Sequence, residues 1–474
     1  MNLLKCSFSL VLAAAVCAGN ASALTPPPPL PAADHGLTVA SWNLGWHLSV
    51  AESEKWIAAC SRRYVFDVRK KAWAGYTGPL TKMIGATERG NAPDAVATKG
   101  QTKTYAYDRP NVGWELDWRP RDETIRLPFS IGTMPPCNVY ADEDRNVVRA
   151  SPELLAQRNE RLAKVLKERV NADIIAFQEV SGKAAITEAL GALAAQYEAC
   201  SFEGYGVQRL GFAWRKTLGV TSAKCEVYDP LSLPDSGTDR RPRPGLALTF
   251  KFKDKALAFM NVHLKAACVS PLENSPDGRG KLEGEQKDCL MLQQQVAPLE
   301  AWLEQTAKSA DHFVLIGDLN RDLWHEVEAM KNSENHAARV DASDPKTAIT
   351  AATKVRYLLA EINDGEPPAS RLTLAAPSCT VSETAARLCE TAKVKRLRTE
   401  DRLALVKELG CRNPNGLDQM LISRNWPGLN ALPQSKKVSI VPFGDTINDE
   451  DAAKRPAQLA ASDHCPILML LPPL

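Results

Sequence analysis

The sequence has 474 residues, a length that suits two domains or one decorated domain and is sufficient for a large buried core. Its 58 basic and 56 acidic residues give a formal net charge of +2, which excludes the overall basic excess of a general polyanion-binding protein. Any basic groove must therefore be local. No stretch approaches the roughly 20 consecutive apolar residues of a membrane-spanning helix, so we expect no transmembrane anchor.

The N-terminal residues 1–23 have the pattern of an export signal. Lys5 precedes an apolar run from Phe8 to Val16, and Ala21-Ser22-Ala23 forms a small-residue cleavage site. Because four consecutive prolines follow, residues 24–36 are predicted to form an extended linker, and the alternative of a buried N-terminal helix is disfavoured. We therefore expect a secreted or periplasmic protein whose mature chain begins near Leu24.

The mature chain keeps ten of the twelve cysteines, because Cys6 and Cys17 leave with the signal. An even number is what a set of disulfides requires, and no close Cys-x-x-Cys pair favours zinc. An exported protein folds in an oxidising compartment. We therefore predict up to five disulfides, with Cys200–Cys225 and Cys268–Cys289 as the first pairings from their proximity in the sequence.

Short apolar runs mark the core elements along the chain. Residues 37–42 alternate and include β-branched residues, which predicts a strand ending at Asn43-Leu44-Gly45. Ser151-Pro152-Glu153 begins a predicted helix, and residues 286–308 form another. Helices and strands alternate without a phosphate-binding glycine loop, which favours two layers of sheet covered by helices. Further strands are predicted at 173–177, 211–214, 246–250, 256–262, 312–316, 417–422 and 467–471.

Two long segments lack a sustained hydrophobic period. The first covers about residues 45–150, and the second covers about residues 321–415 and contains Pro367-Pro368 and three cysteines. We interpret both as insertions into a single catalytic domain that spans residues 37–474. Whether they form lids, subdomains or partner surfaces is left open by their sequences.

Six polar clusters accompany the predicted core strands. A carboxylate, amide or imidazole is costly to bury unpaired, so strands that each carry one predict a shared polar site. Individually, each cluster also has an ordinary explanation as a turn, a helix cap or a structural histidine. The clusters are Asn43, Gln178-Glu179, Asn261-Val262-His263, Gly317-Asp318-Leu319-Asn320, Asp418 and Ser462-Asp463-His464.

In order and in local sequence, these clusters resemble the endonuclease/exonuclease/phosphatase superfamily, which includes deoxyribonuclease I, abasic-site endonucleases and neutral sphingomyelinases. The resemblance implies an α/β fold, a deoxyribonuclease I-like four-layer sandwich of two packed mixed sheets flanked by helices. The site then lies at one end of the sheets. The matching blocks are Ser41-Trp42-Asn43-Leu44, Ile175-Ala176-Phe177-Gln178-Glu179-Val180, Asn261-Val262-His263-Leu264-Lys265, Gly317-Asp318-Leu319-Asn320, Leu417-Asp418 and Ser462-Asp463-His464.

The same resemblance implies a divalent metal site. Glu179 corresponds to the main ligand of Mg²⁺ or Mn²⁺, hard cations that prefer oxygen donors. Asn43 and Asp463 complete or support the metal and phosphate site in this comparison. A structural Ca²⁺ is a further candidate cofactor.

The remaining block residues correspond to catalytic positions. His464 matches the histidine that activates water or steadies the developing negative charge, and Asp418 matches the carboxylate that orients it. His263 matches a histidine that contacts the phosphate or protonates the leaving oxygen. Asp318 and Asn320 match the pair that positions the nucleophile and the scissile group.

Two features bear on the substrate. Abasic-site endonucleases carry an acidic residue where this sequence has Gly45, which favours the deoxyribonuclease, toxin and sphingomyelinase branches. Residues 62–73 interleave basic and aromatic side chains, as nucleic-acid contacts do, although a solvated helix face has the same composition. The candidate substrate-binding residues are Arg240, Arg241 and Arg243, in a proline-punctuated loop between predicted strands.

The leading prediction is a secreted, metal-dependent phosphodiesterase that hydrolyses DNA or RNA by metal- and histidine-assisted attack of water. Endonuclease and exonuclease action both remain open, as does the oligomeric state. One alternative is a sphingomyelinase-like enzyme that binds a phospholipid headgroup, which the near-neutral charge favours and the lack of an obvious apolar hairpin disfavours. The other is an inactive binding protein on the same fold, disfavoured because every expected site residue is present.

Overall fold

A computed structural model describes residues 36–60, 63–67, 72–76, 104–107, 152–204, 206–235, 241–273, 280–331, 355–413, 416–429, 432–444 and 460–474, with backbone alone between residues 56 and 107. The predicted signal, the linker up to residue 35, Arg240 and the side chains of residues 62–73 lie outside the described part. The helices are α1 Val50–Cys60, α2 Pro152–Val165, α3 Lys183–Leu190, α4 Lys287–Ser309, α5 Leu323–Lys331, α6 Leu358–Ile362, α7 Glu383–Val394 and α8 Thr399–Leu409.

The seven strands predicted after residue 170 are confirmed, with bounds that differ by a few residues. The strands are β1 Leu37–His47, β2 Arg63–Asp67, β3 Ala72–Tyr76, β4 Thr104–Tyr107, β5 Ile174–Val180, β6 Tyr197–Ser201, β7 Arg209–Arg215, β8 Thr221–Tyr228, β9 Gly245–Phe252, β10 Lys255–His263, β11 His312–Asp318, β12 Leu372–Leu374, β13 Ala376–Ser378, β14 Asp418–Ser423, β15 Gln434–Lys437 and β16 Ile467–Leu471.

Two mixed sheets form the centre of the fold. One has seven strands in the order β13-β15-β16-β1-β5-β7-β6, and the other has six in the order β12-β14-β11-β10-β9-β8. Within them β1 runs parallel to β5 and antiparallel to β16, while β10 runs parallel to β11 and antiparallel to β9. A small sheet, β3-β2-β4, lies in the first predicted insertion.

The apolar core lies in three slabs that separate four layers. Between the two sheets, the inner faces of β7, β9, β10 and β11 pack Phe212, Phe250, Phe259 and Ile316 together. Helices α2, α3, α7 and α8 cover the outer face of the seven-stranded sheet. Helices α4, α5 and α6 cover the six-stranded sheet. The predicted four-layer α/β sandwich is therefore confirmed, and coverage on both faces explains why the central strands read as continuous apolar runs.

The segment predicted as the second insertion is more regular than its sequence indicated. It contains helices α5 to α8 and supplies β12 and β13, the edge strands of the two main sheets. Each of these strands has three residues, which is too short to show an alternating pattern. This part of the chain therefore forms one edge of each of the two main sheets.

A buried ion pair attaches this segment to the core. Arg321 is fully buried, pairs with Glu326 and donates to the carbonyl oxygen of Cys268 at 2.9 Å. The Glu326 carboxylate also accepts the backbone N–H groups of Leu358 and Leu359 at 3.0 and 2.7 Å. Because two buried charges are stabilised only when paired and hydrogen-bonded, this arrangement fixes α5 and α6 against the loop after β10.

Four disulfides are present among the described residues. The two predicted pairs, Cys200–Cys225 and Cys268–Cys289, are both confirmed. The others join Cys379 to Cys389 and Cys411 to Cys465. Cys60 and Cys137 lie outside the described side chains. None of the described helices has the length and apolar content needed to cross a membrane.

A network of buried amides locks the two sheets together near one end. The Gln178 side chain donates to Asn261 Oδ1 at 2.8 Å and to Ser41 Oγ at 3.0 Å. Asn261 in turn donates to the carbonyl oxygens of Phe177 and Gly211. Gln178 and Asn261 belong to the predicted polar clusters, and their described bonds are structural ones that fix the sheets beside the other polar residues.

Candidate active site

The predicted polar residues of both sheets meet at one end of the sandwich. Asn43 lies within β1 rather than at its end, since this strand continues to His47 with a shift of register after Asn43. Its amide nitrogen donates to Asp318 Oδ2 at 3.0 Å and lies 3.4 Å from Glu179 Oε1. Asn43 thus joins a carboxylate of the seven-stranded sheet to one of the six-stranded sheet.

Strained backbone surrounds this junction. Glu179, Trp46 and Asn320 have positive φ angles of 56°, 53° and 52°, a conformation that residues other than glycine rarely adopt. The carboxylate of Glu179 accepts the backbone N–H of Trp46 at 3.0 Å, so two of these residues stabilise one another. Such strain persists where the surrounding structure fixes it, most often at functional sites.

Gly317 allows β10 and β11 to approach closely. Its φ is +136°, and a Cβ at this position would lie 2.1 Å from the Val262 carbonyl oxygen. A side chain would therefore push the two parallel strands apart. With glycine here, His263 pairs with Asp318 across the strands, and His263 Nε2 lies 3.5 Å from Asp318 Oδ2.

His464 and Asp418 form a buried hydrogen-bonded pair. The Nδ1 atom of His464 lies 2.9 Å from Asp418 Oδ2, which leaves Nε2 on the opposite side of the ring. The main chain of His464 is held at both ends, because its N–H donates to Ser462 Oγ and its carbonyl accepts Trp42 Nε1–H at 2.9 Å. This contact agrees with the histidine–carboxylate pair that the family resemblance implied.

The pKa values of His464 and His263 are shifted in opposite directions. Burial opposes charge on His464, but the carboxylates of Asp418, Asp463 and Asp318 together raise its pKa well above the usual value. Burial, with the nearby charges of Arg243 and His464, lowers the pKa of His263 well below it. At neutral pH, His464 is therefore an imidazolium that can donate a proton, and His263 is a neutral imidazole that can accept one.

Asp318 lies between the two rings. Its Oδ2 atom is 3.5 Å from His263 Nε2 and 3.9 Å from His464 Nε2, and its Oδ1 accepts the Asn320 N–H at 2.8 Å. Burial raises the pKa of Asp318 to about 7, with Asp418 adding to the shift and His464 opposing it. The side chain of Asn320 donates to the Leu264 carbonyl oxygen and fixes the loop after β10.

Asp463 has partners that the sequence analysis did not anticipate. Its Oδ2 atom accepts from Asn413 Nδ2 at 2.9 Å and from Arg412 at 3.4 Å. Burial raises the pKa of Asp463, but the charges of His464 and Arg412 outweigh it and hold the pKa below its usual value. Arg412 and Asn413 come from the end of the predicted second insertion, which therefore contributes to the site.

Arg158 on α2 fixes the two chain segments that carry Asn43 and Asp463. Its guanidinium donates to the carbonyl oxygens of Leu44 and Gly45 on one side. On the other side it donates to the carbonyl oxygens of Ala460 and Ala461. Arg158 is 2% exposed, so these hydrogen bonds are protected from water and hold β1 against the segment before Ser462.

His47 beside Arg158 should make the fold acid-sensitive. Burial, followed by the positive charge of Arg158, lowers the pKa of His47 from 6.5 to about 3. Its stabilising contribution is complete above pH 6.5 and falls as the pH drops towards 3, because the unfolded chain binds the proton first. Below pH 6, we expect each unit of decrease in pH to lower the free energy of unfolding of the parent by about 1.4 kcal/mol more than it lowers that of His47→Gln. Urea unfolding between pH 7.5 and 4.5 measures this difference, and parallel curves would contradict it.

The three predicted substrate-binding arginines differ in position. Arg243 donates to the carbonyl oxygen of His263 at 3.2 Å and to Gln208 Oε1 at 2.7 Å, which places its charge beside the site. Arg241 is exposed. Arg240 lies outside the described residues.

Among the described residues, two groups could hold a divalent cation. Atoms of Asp318, Asp418 and His464 lie within 4.8 Å of one another, but His464 Nδ1 is already bonded to Asp418 and the ring is charged, which disfavours a metal on that nitrogen.

Glu179 Oε1 has only long described contacts, 3.4 Å to Asn43 and 3.7 Å to His263, and its side chain is 14% exposed. The carboxylates of Glu179 and Asp318 around Asn43 thus offer the oxygen donors that Mg²⁺ prefers. Asn43 Oδ1 accepts the Gly45 N–H, so the Asn43 amide nitrogen faces the carboxylates.

No family model and no curated protein matches the sequence. Solved structures are similar at low identity. TDP2 of D. rerio complexed with single-strand DNA product is 17% identical, with a TM-score of 0.32 over 66% of this chain and 91% of that one. The human Nocturnin catalytic domain with bound sulfate is 12% identical, with a TM-score of 0.34 over 66% and 85%. An endonuclease/exonuclease/phosphatase family protein from Leptotrichia buccalis is 12% identical, with a TM-score of 0.30 over 68% and 94%.

The name of the Leptotrichia buccalis protein is that of the superfamily which the six sequence blocks resemble. Because the identities and TM-scores are low, we draw no conclusion about activity from the likeness. The fold class follows from the layers of this structure, and the assignment of function depends on its own side chains.

Proposed function

We propose that this protein is a divalent-metal-dependent phosphodiesterase of the endonuclease/exonuclease/phosphatase superfamily, and that its substrate is DNA or RNA. One observation carries the proposal. The hydrogen-bonded His464–Asp418 pair, His263 and Asp318 lie together, with Glu179 and Asn43 beside them. Hydrolysis of a phosphodiester needs a proton acceptor, a proton donor and a way to neutralise charge, and this group supplies candidates for each.

The two histidines divide the proton transfers. We assign His464 to donate from Nε2 to the phosphate or leaving oxygen, because its Nδ1 is bonded to Asp418. The resemblance implied that His263 contacts the phosphate or protonates the leaving oxygen. Because its pKa is lowered, we assign it instead to accept a proton from water through Nε2, which faces Asp318 and Glu179. Asp318 holds the space between the rings, and Asn43 orients Asp318 and Glu179 through its amide.

Glu179 and Asp318 are the residues that would hold Mg²⁺ or Mn²⁺, with Asp463 as the further ligand predicted from the resemblance. The ion would neutralise the negative charge that builds on the phosphate oxygens during the reaction. Asn43 would support the site by fixing the two carboxylates. A structural Ca²⁺ elsewhere in the chain remains a proposal.

Cations beside the carboxylates favour a polymeric substrate. Arg243 is fixed beside His263, and Arg412 lies beside Asp463 with a side chain that is 32% exposed. A nucleic acid carries a phosphate on each side of the one that is cleaved, and arginines are the usual contacts for such phosphates. The signal-like residues 1–23 support export as the setting for this activity.

A substrate panel tests the proposal. The mature, oxidised protein is incubated with supercoiled plasmid, single-stranded DNA, RNA and sphingomyelin vesicles, each in Mg²⁺ and in EDTA. We expect a nucleic acid to be cleaved in Mg²⁺ and to stay intact in EDTA. Nucleic acids that remain intact in Mg²⁺, Mn²⁺ and Ca²⁺ would contradict the nuclease assignment, and release of a phosphorylated headgroup would move the substrate to lipid.

A further inference from the structure

We infer that Asn413 is a positioning residue of this active site, which holds Asp463 and His464 in a fixed relation, and that the Cys411–Cys465 disulfide keeps it in place. The inference rests on the proposed function for its kinetic consequence. The residues involved come from separate parts of the sequence, because Asn413 lies near the end of the predicted second insertion and His464 precedes the last described strand, β16.

Asn413 contacts both residues with its side chain and its backbone. Its Nδ2 atom donates to Asp463 Oδ2 at 2.9 Å and lies 3.3 Å from His464 Nε2. Its backbone N–H donates to the Asp463 carbonyl oxygen at 2.8 Å, and Asn413 and His464 form an isolated parallel β-bridge. The backbone of Asn413 is therefore fixed beside Asp463 and His464, and the hydrogen bond to Asp463 selects the side-chain rotamer that faces them.

These contacts matter for the side of His464 that reacts. Asp418 occupies Nδ1, so Nε2 is the nitrogen left to face a substrate oxygen. The amide of Asn413 packs against the ring at Nε2, and because both nitrogens carry protons when His464 is charged, its hydrogen bond goes to the neighbouring carboxylate of Asp463. Loss of this amide would leave the Asp418 bond intact while removing a restraint on the Nε2 edge, and small errors in the position of a reacting group are costly for the rate.

The disulfide explains why Asn413 lies where it does. Helix α8 ends at Leu409, and Gly410 follows with a φ of +81° that turns the chain towards β16. A Cβ on Gly410 would lie 2.8 Å from the Val441 backbone nitrogen, so this turn requires glycine. Cys411 then bonds to Cys465, and both sulfur-bearing residues are buried. The bond joins the residue after His464 to the residue two before Asn413.

Kinetics with Asn413→Ala test the inference. We expect kcat on the cleaved substrate to fall about 10-fold to 100-fold, with KM changed less than about 2-fold, because the variant disturbs a reacting group rather than a binding contact. Asn425→Ala is the matched control: Asn425 donates to the Asp311 carbonyl oxygen at 3.0 Å, at the start of β11 and away from the site. Its kcat should equal that of the parent. An unchanged kcat in Asn413→Ala, or a loss confined to KM, would overturn the inference.

A spectroscopic readout keeps this test independent of the substrate. The Nδ1–H proton of His464, bonded to Asp418, is expected as a downfield imidazole signal in the proton NMR spectrum, assigned by its loss in His464→Ala. In Asn413→Ala this signal should shift or broaden, and in Asn425→Ala it should not. If the parent cleaves no substrate, the proposed function is contradicted, but the NMR signal still tests the positioning role of Asn413. A signal that is unchanged in Asn413→Ala would overturn that role.

The role of the disulfide is tested by a second pair of variants. A chain with both Cys411→Ser and Cys465→Ser should show the same direction of change in kcat and in the His464 signal as Asn413→Ala. A chain with both Cys200→Ser and Cys225→Ser loses a disulfide between edge strands β6 and β8, and its kcat and signal should match those of the parent. Equal behaviour of the two double variants would overturn the role of Cys411–Cys465.

Discussion

Replacement of His464 by alanine is expected to lower kcat by about 10²-fold to 10⁴-fold, the usual contribution of a positioned acid or base. The loss should fall on kcat and on kcat/KM alike, because the imidazolium stabilises charge that develops only during the reaction. Single-turnover cleavage of plasmid or oligonucleotide in Mg²⁺ measures it. The described backbone contacts of His464 do not need its side chain, but the variant leaves Asp418 buried without its imidazole partner, so thermal unfolding must accompany the kinetics to show that the chain is folded.

His312→Ala is the control for this variant. His312 is also a buried histidine, packed on Trp426, and it begins the same strand, β11, that ends at Asp318. It therefore lies at the other end of the sheet and should leave kcat unchanged. If His464→Ala cleaved every substrate as fast as the parent, the catalytic assignment would be wrong, and a binding protein with a relic site would become the better interpretation.

Replacement of Glu179 by glutamine is expected to weaken Mg²⁺ or Mn²⁺ binding by at least about 100-fold, since even partners of metal ligands are worth 10-fold to 100-fold. Glutamine keeps an oxygen that can accept the Trp46 N–H, so the strained backbone at residue 179 should be retained. Calorimetric titration with the metal alone measures the affinity. Activity should fall in parallel and should not return at metal concentrations that saturate the parent.

Glu198→Gln is the matched control, because Glu198 is half exposed on β6, with 54% of its side chain accessible. Its metal affinity should match the parent. If Glu179→Gln bound metal as tightly as the parent while Asp418→Asn did not, the buried group of Asp318, Asp418 and His464 would be the metal site instead.

The central strands were predictable because a strand that is covered on both faces has an uninterrupted run of apolar residues. Strands β5, β10 and β11 contain continuous apolar runs, and each carries a polar residue at its end or one residue before it: Glu179, His263 and Asp318. Since parallel neighbours such as β10 and β11 end at the same edge of a sheet, their convergence followed from the pattern.

The edges of the sheets were not predictable in this way. Strand β8 is almost wholly exposed and reads as polar, while β12 and β13 have three residues each. Strands β12 and β13 are placed in the sheets by neighbours far along the chain, as for β12 on β14, whereas β8 pairs with β9, the next strand in the sequence. Periodicity, which depends on local burial, carries little information about such pairings.

Arg158, Arg412 and Asn413 were missed for a related reason. Each reaches the site through a contact made only in the folded chain, and ten cysteines can pair in 945 ways, so the sequence did not single out Cys411 with Cys465. The one available signal was that Cys465 directly follows His464. Had the partner of Cys465 been known, the residues next to that partner in the sequence would have been candidates for the site.

The pairing of β1 with β16 has a consequence for the time at which activity can arise. Leu37 lies opposite Leu471, so the first and last strands of the domain are neighbours, and the polar centre draws on residues from Asn43 to His464. A chain still being synthesised or threaded across a membrane lacks the final strand and one of its two site histidines. In the exported nuclease that we propose, catalytic competence would therefore arise only after β16 and His464 have been delivered, which would spare the nucleic acids of the producing cell.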